Sequence, residues 1–322
     1  MVLYPLRFEP VFRQYLWGGR RLASSLGKQL GAGDDYAESW EVVDHGDDQS
    51  VVAHGELAGL ALGKLREQFG VPLVGSDCDR FPLLFKLLDC HRNLSVQVHP
   101  NDEAAAQLDP PDLGKTEAWV VLEANPDSQI FAGLRDGVDR KELERAIESG
   151  ETESCLHQFV AAPGDCVFIP AGVVHALGGG LVIAEIQQSS DTTYRLFDWN
   201  RTDSDGQPRP LHVADALEVI DFEYGPVNPQ QPAATDRSFA SRLVSCDKFV
   251  LDRCTFGEPV EFGGDGQFRI LSTIEGQVEL SGDPSLAPLG RGQTALIPAS
   301  CSTVATPVDG PAMLLEMSGK LA

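Results

Sequence analysis

The chain has 322 residues, 42% of them apolar, with 32 glycines and 21 prolines; this is enough to bury one large core or two modest ones, and it excludes a disordered chain. Its 25 Lys and Arg stand against 48 Asp and Glu, a formal charge of −23 that repels phosphodiester backbones and anionic lipid, so neither nucleic acid nor a membrane is expected as a partner. No apolar run reaches the roughly 18 residues of a membrane span and no leader pattern opens the sequence, which predicts a cytoplasmic protein, and the seven scattered cysteines lack any Cys-x-x-Cys pair and read as free thiols.

Taken in chain order, short apolar runs bounded by Gly, Pro and Asp predict strands at 81–88, 94–98, 118–122, 166–169, 181–187, 249–253, 268–273, 277–280 and 294–297. Helical patterns are fewer, at 102–108, 140–149 and 213–220, and Gly150 stops the second of them. The segment 224–234 holds Gly225, Pro226, Pro229 and Pro232 and is too rich in breakers for either element. It divides the chain into an expected metal-binding catalytic domain, 1–230, and a second domain, 231–322.

Two segments repeat one pattern. Gly164 to His175 and Gly292 to Thr303 each place a turn glycine before a five-residue strand and a proline-bearing turn, and only the first ends in histidine. The spacing resembles the second cupin motif, with Gly179 departing from the Asn that many cupins carry. The resemblance implies a mainly β fold of two cupin-type jelly-roll barrels with a few helices, the first able to hold a metal and the second metal-free, because Thr303 stands in the ligand position.

The alternation of a strand sets Ser95, Gln97 and His99 on one face, opposite Val96 and Val98. Glu117 enters an otherwise apolar strand, where a carboxylate is costly unless it is paired or metal-bound. Glu103 is the rival acid, although it falls in the first turn of a helix capped by Asn101, where a negative charge is favourable in itself. Gln97, His99, Glu117 and His175 together offer two imidazole nitrogens and two oxygens, a set that zinc accepts with a position left open.

These strings, in this order, resemble the type I mannose-6-phosphate isomerase family: Trp17-Gly-Gly19, Glu38-Ser-Trp-Glu41, Leu94 to Asp102, Gly114-Lys-Thr-Glu117, Gly164 to His175, Glu185-Ile-Gln-Gln188, Ser190 to Arg195 and Arg209-Pro-Leu-His212. The likeness covers residues 5 to 220 and is nearest the compact bacterial forms. It implies one zinc ion per chain on Gln97, His99, Glu117 and His175, Ser95 and Lys86 near the substrate phosphate, and Lys115 and Arg195 in the catalytic pocket. A small sugar phosphate is the implied partner, and the protein is expected as a monomer or weak homo-oligomer.

Aldose–ketose interconversion moves a proton between C1 and C2 through a cis-enediol, so negative charge must be stabilised on the neighbouring oxygens. Lys115 is the first candidate for the base, with Glu41 and Glu185 as competitors, and Arg195 is suited to electrostatic stabilisation because its guanidinium stays charged. Lys86, Lys115, Arg195 and Arg201 are the cations available to draw a dianion into an acidic protein. Two other readings compete: a non-haem iron cupin oxygenase, which uses two histidines and a carboxylate, and a non-catalytic sugar-binding cupin.

Overall fold

A computed structural model describes residues 2–202 and 206–320. The first part of the chain forms a six-stranded sheet whose centre is Glu117–Ala124, Leu181–Gln188 and Leu83–Cys90, with Tyr36–Val42 and Val11–Gly19 extending one edge and Cys166–Ile169 the other. A five-stranded sheet faces it: Leu156–Val160, Gln129–Leu134, His175–Leu177, Val96–Val98 and Tyr194–Phe197, in that spatial order.

Side-chain alternation decides what each face meets. On the central strands Leu88, Trp119, Val121, Leu181 and Ile183 point between the two sheets, where they pack with Ile130, Ala132 and Leu177 from the other sheet. The alternate residues Phe85, Leu87, Ala118, Val120, Val182 and Ala184 point the opposite way, into a core that also contains Leu251, Phe268, Ile270 and Met317. The apolar core therefore runs without a break across the boundary near residue 230. Residues after that point form their own six- and four-stranded sheets, joined by a further cluster that includes Phe262, Leu271 and Leu314.

Helices cover the outer face of the five-stranded sheet. Arg140–Ser149 starts where the Asp139 side chain accepts a hydrogen bond from the Glu142 amide and ends at Gly150, whose φ of 75° is the left-handed conformation that glycine adopts without a Cβ penalty. Its Leu143 and Ala146 pack with Leu217 of the Val213–Val219 helix and with Val96 and Val98.

Most expected elements lie within a few residues of their positions, and Cys166–Ile169, Gln277–Leu280 and Thr294–Ile297 coincide with them. The expected 102–108 helix is shorter, Asp102–Ala105. The segment 224–234 is irregular up to Ala233–Ala234, which pairs with Ala240–Ser245 as an edge strand. All seven cysteines are free thiols. Both repeated segments have the same build: Gly164 and Gly172 sit at φ 92° and 88°, and Gly292 at 77°, each in the left-handed region that tight turns require. Thr303 is buried in the second copy, where its hydroxyl donates to the Ser281 carbonyl.

Candidate metal centre and the adjoining cavity

Three strands of the first pair of sheets bring the proposed ligands together. His175 opens one strand and lies directly opposite Gln97 in the antiparallel register, and Glu117 opens another, opposite Gln187. His99 follows the Val96–Val98 strand by one residue. The ligand-capable atoms of His99, Glu117 and His175 all lie within 4.8 Å of one another. Glu117 Oε2 is 3.5 Å from His99 Nε2, Glu117 Oε1 is 3.4 Å from His175 Nε2, and the Gln97 amide nitrogen is 3.3 Å from the same His175 Nε2.

Each imidazole is oriented from behind by a main-chain carbonyl. His99 Nδ1 lies 2.9 Å from the Thr192 oxygen and His175 Nδ1 2.8 Å from the Val173 oxygen. Donation from Nδ1 to a carbonyl leaves Nε2 as the lone-pair atom, the arrangement in which metal-binding histidines are held. Burial, reinforced by Lys115, drives the His99 pKa well below its ordinary value, and burial pushes that of His175 down to about 4. Both rings are therefore neutral near pH 7, the form that ligates.

The Glu117 carboxylate supplies the test of fit. It is 1% exposed, and neither oxygen accepts a hydrogen bond; a buried ionised group so placed is costly unless a cation compensates it. Lys115 gives part of that compensation, with its ammonium 3.2 Å from Glu117 Oε2 and 3.2 Å from His99 Nε2. Two neutral imidazole nitrogens and an unsatisfied carboxylate converging in a buried spot match the donor set of a divalent transition metal.

A cavity of about 280 Å³ adjoins this centre, and Lys86, Ser95, Gln97, Lys115 and Arg195 all line it. Lys86 is 3% exposed. It lies 3.6 Å from Glu38 and 3.7 Å from Glu185, with its ammonium 4.7 Å from the centre of the Trp40 ring. Burial opposes its charge, but Glu38 and Glu185 outweigh burial and raise its pKa. Both acids are fixed by tryptophans: Trp40 donates to Glu38 at 2.5 Å and Trp119 to Glu185 at 3.0 Å. Burial, followed by the Glu117 charge, raises the Glu185 carboxyl.

At another wall of the cavity Arg195 donates through Nη1 to the Pro210 carbonyl, while its Nε is buried without a partner. Arg209 also lines the cavity, and it shares the Asp198 carboxylate with Arg201. Two guanidiniums thus converge on one carboxylate, while that of Arg195 makes no ion pair among the described residues.

Several expectations change here. Glu41 cannot act as a base in this cavity, because it turns to the other side of its strand, pairs with Lys28 at 2.6 Å and lines a separate cleft near Arg7. Arg201 is absent from the cavity wall, since its guanidinium is taken up by Asp198 and the Asn93 carbonyl. Glu103 is exposed on its short helix, away from the centre. Glu38, Asp191, Thr193, Tyr15 and Arg209 line the cavity without having been singled out for it from sequence. Glu38 and Arg209 belong to strings that carry the family resemblance, but nothing in their local patterns points inward.

A cupin-type pair of sheets holding a buried two-histidine, one-carboxylate centre beside a charged cavity defines a metalloenzyme-like site. Residues 5–132 match the family model for the catalytic domain of type I phosphomannose isomerase. Mannose-6-phosphate isomerase ManA of Bacillus subtilis is 35% identical over 302 residues, covering 92% of this chain and 94% of its own. The mannose-6-phosphate isomerase of Streptococcus mutans is 32% identical and covers 91% and 92% respectively. A crystal structure of the Bacillus subtilis mannose 6-phosphate isomerase superposes with a TM-score of 0.89 at 31% identity, over 98% of this chain and 99% of that one. The chain belongs to the type I phosphomannose isomerase family.

Proposed function

We propose that this protein is a zinc-dependent mannose-6-phosphate isomerase, which interconverts mannose 6-phosphate and fructose 6-phosphate through a cis-enediol. The observation that carries this reading is the Glu117 carboxylate, buried without a hydrogen bond between two imidazole Nε2 atoms, with Gln97 and Lys115 beside it forming part of the wall of a cavity that also holds Lys86, Arg195 and Arg209. His99, Glu117 and His175 would hold the zinc, and Gln97 completes the set through its amide oxygen, which requires the amide to present the opposite atom to the centre from the one now nearest His175. A zinc ion held there would supply Lewis acidity to substrate oxygens.

The remaining chemistry falls to side chains. Lys115 lines the cavity beside Glu117, and we assign it the transfer of the proton between C1 and C2; Glu185 is the second group placed for that task. Ser95 and Lys86 bind substrate oxygens. Because Lys86 already stands between two carboxylates and Arg209 is held by Asp198, the positive charge of Arg195, which makes no ion pair among the described residues, does more to attract the phosphate. Arg195 also stabilises negative charge as it develops on the substrate, since its unpartnered Nε is desolvated and fixed in place before reaction.

All of these groups come from residues before 230, which we read as the catalytic domain, with 231–322 as a metal-free jelly roll. A second copy of the chain is not required, in keeping with a monomer or weak homo-oligomer acting on a cytoplasmic metabolite. The test is to measure metal content and then follow fructose 6-phosphate produced from mannose 6-phosphate. Bound zinc and turnover that is lost on chelation and restored by zinc are expected. A zinc-loaded protein that forms no fructose 6-phosphate would overturn the assignment.

A further inference from the structure

The Ser189–Thr193 turn faces two ways. Its Thr192 carbonyl accepts from His99 Nδ1, and its Asp191 and Thr193 side chains line the cavity. On the far side of the turn a single carboxylate gathers it up. Asp112 Oδ2 accepts from the Ser190 hydroxyl at 2.8 Å and from the Thr192 hydroxyl at 3.0 Å. Asp112 Oδ1 accepts from Arg80 at 2.6 Å, and the same Arg80 nitrogen donates to the Ser189 carbonyl at 2.8 Å. His45 Nε2 stands 3.3 Å from Asp112 Oδ1. The Asp112 side chain is 10% exposed, does not line the cavity and does not touch the metal ligands.

Four groups from three parts of the chain therefore meet at one ionised side chain, three residues before Lys115. Burial opposes its ionisation, but hydrogen bonds from His45, Arg80 and Ser190 outweigh burial and hold the carboxyl well below its ordinary value. A charged acceptor serving two hydroxyls of one turn fixes that turn more firmly than neutral contacts would. Asp112 reaches the centre through Thr192, whose hydroxyl it holds and whose carbonyl accepts from His99, so a small displacement of that residue would change both the direction and the hydrogen bond of the His99 ring.

We infer that Asp112 is a positioning residue: by clamping the Ser189–Thr193 turn it sets the orientation of His99 as a metal ligand and, through the same turn, the placement of Asp191 and Thr193 in the cavity wall. This rests on the metal-centre reading above. Outer-shell partners of metal ligands change metal affinity by about ten- to a hundredfold when they are removed, and Asp112 acts one bond further out, through the turn.

The experiment compares metal-free wild type, Asp112→Asn, the double variant Ser190→Ala/Thr192→Val, and Asp283→Asn. The double variant removes both hydroxyls that reach Asp112 and leaves the Thr192 carbonyl in place. Asp283→Asn breaks a buried ion pair with Arg7, remote from the centre, and serves as a control for general loss of stability. Each protein is titrated with Co²⁺ against a chelating dye, its visible ligand-field spectrum is recorded, and kcat and KM for mannose 6-phosphate are measured at saturating metal. Asp112→Asn and the double variant are expected to bind Co²⁺ roughly tenfold more weakly with a shifted spectrum, and Asp283→Asn to bind like wild type. Should Asp112→Asn fail to fold, the double variant decides by the same readouts. Wild-type affinity and spectrum in a folded Asp112→Asn, or in the double variant when it alone folds, would overturn the inference, as would equal weakening in Asp283→Asn. Wild type that binds no Co²⁺ would instead remove the metal-centre reading, and wild type that binds Co²⁺ yet forms no fructose 6-phosphate would remove the isomerase reading and leave the positioning role to the titration.

Discussion

At the scale of single residues, Arg195 offers the sharpest division of roles. Its buried, unpartnered Nε faces no protein acceptor, whereas the nitrogen that does have a partner is held by the Pro210 carbonyl. Burial, followed by the Arg209 charge, lowers its pKa, yet a guanidinium remains protonated near pH 7. A charge-assisted hydrogen bond contributes about 1.5–3 kcal/mol, so Arg195→Ala should lower kcat/KM by roughly ten- to a hundredfold while bound metal, measured by elemental analysis, stays unchanged. Metal lost along with activity would contradict the separation of Arg195 from the centre. The candidate ligands are legible in the sequence because period-two alternation turns Gln97 and Glu117 inward on their strands and because the Gly164-to-His175 spacing fixes where a turn delivers the imidazole. Glu38, Asp191 and Arg209 are not legible in this way. Their inward position is fixed by tertiary contacts, Glu38 with Lys86, the Ser189–Thr193 turn with Asp112 and Arg209 with Asp198, none of which leaves a local signal to read.

Among the elements, the outer helix Arg140–Ser149 is separable from the chemistry. Its first-turn amide is satisfied by Asp139, and its apolar side packs on the outer face of the five-stranded sheet. Loss of such a cap costs about 1 kcal/mol, so Asp139→Ala should lower the urea midpoint by that equivalent and leave kcat and KM unaltered. Changed kinetics in this variant would mean that the helix is coupled to the site. The strands followed their sequence patterns best where both signals agreed, as at Cys166–Ile169, with apolar residues bounded by turn glycines. Val11–Gly19 gives no strand signal because register shifts accompany a run of exposed residues followed by buried ones, and Tyr36–Val42 gives none because Glu38 and Glu41 interrupt its buried residues with charge. Glu41 illustrates the cost: it shares with Ser39, whose hydroxyl donates to it, the face opposite Glu38 and Trp40, an alternation that can be read only once 36–42 is recognised as a strand.

For the molecule as a whole, stability should fall on the acid side. Asp112, Asp198, Asp102 and Glu123 all have folded-state pKa values below their ordinary ones, in each case because hydrogen bonds and nearby cations outweigh the opposing effect of burial. A depressed carboxyl holds fewer protons folded than unfolded, so its contribution is complete above the unfolded value, 3.8 for Asp and 4.5 for Glu, and disappears as pH falls through the folded one. Asp89 and Glu185, raised by burial, act in the opposite sense at higher pH. Urea midpoints should therefore drop steeply below about pH 4, and Asp198→Asn should flatten that drop; a midpoint that stays level to pH 3 would contradict the assignment. The second prediction at this scale concerns the continuous core. Residues 1–230 expressed alone would expose Phe85, Val120 and Val182, which in the full chain pack in one cluster with Leu251, Phe268 and Met317. That fragment should be aggregated or lack a cooperative melt, and a soluble fragment with a single sharp transition would show the first pair of sheets to be self-sufficient. The same seam constrains how such a protein can diverge. A chimera that took its second pair of sheets from a relative would inherit side chains shaped against another partner's knobs and hollows, so the two halves must drift together, as the two sides of a hinge cut from one piece.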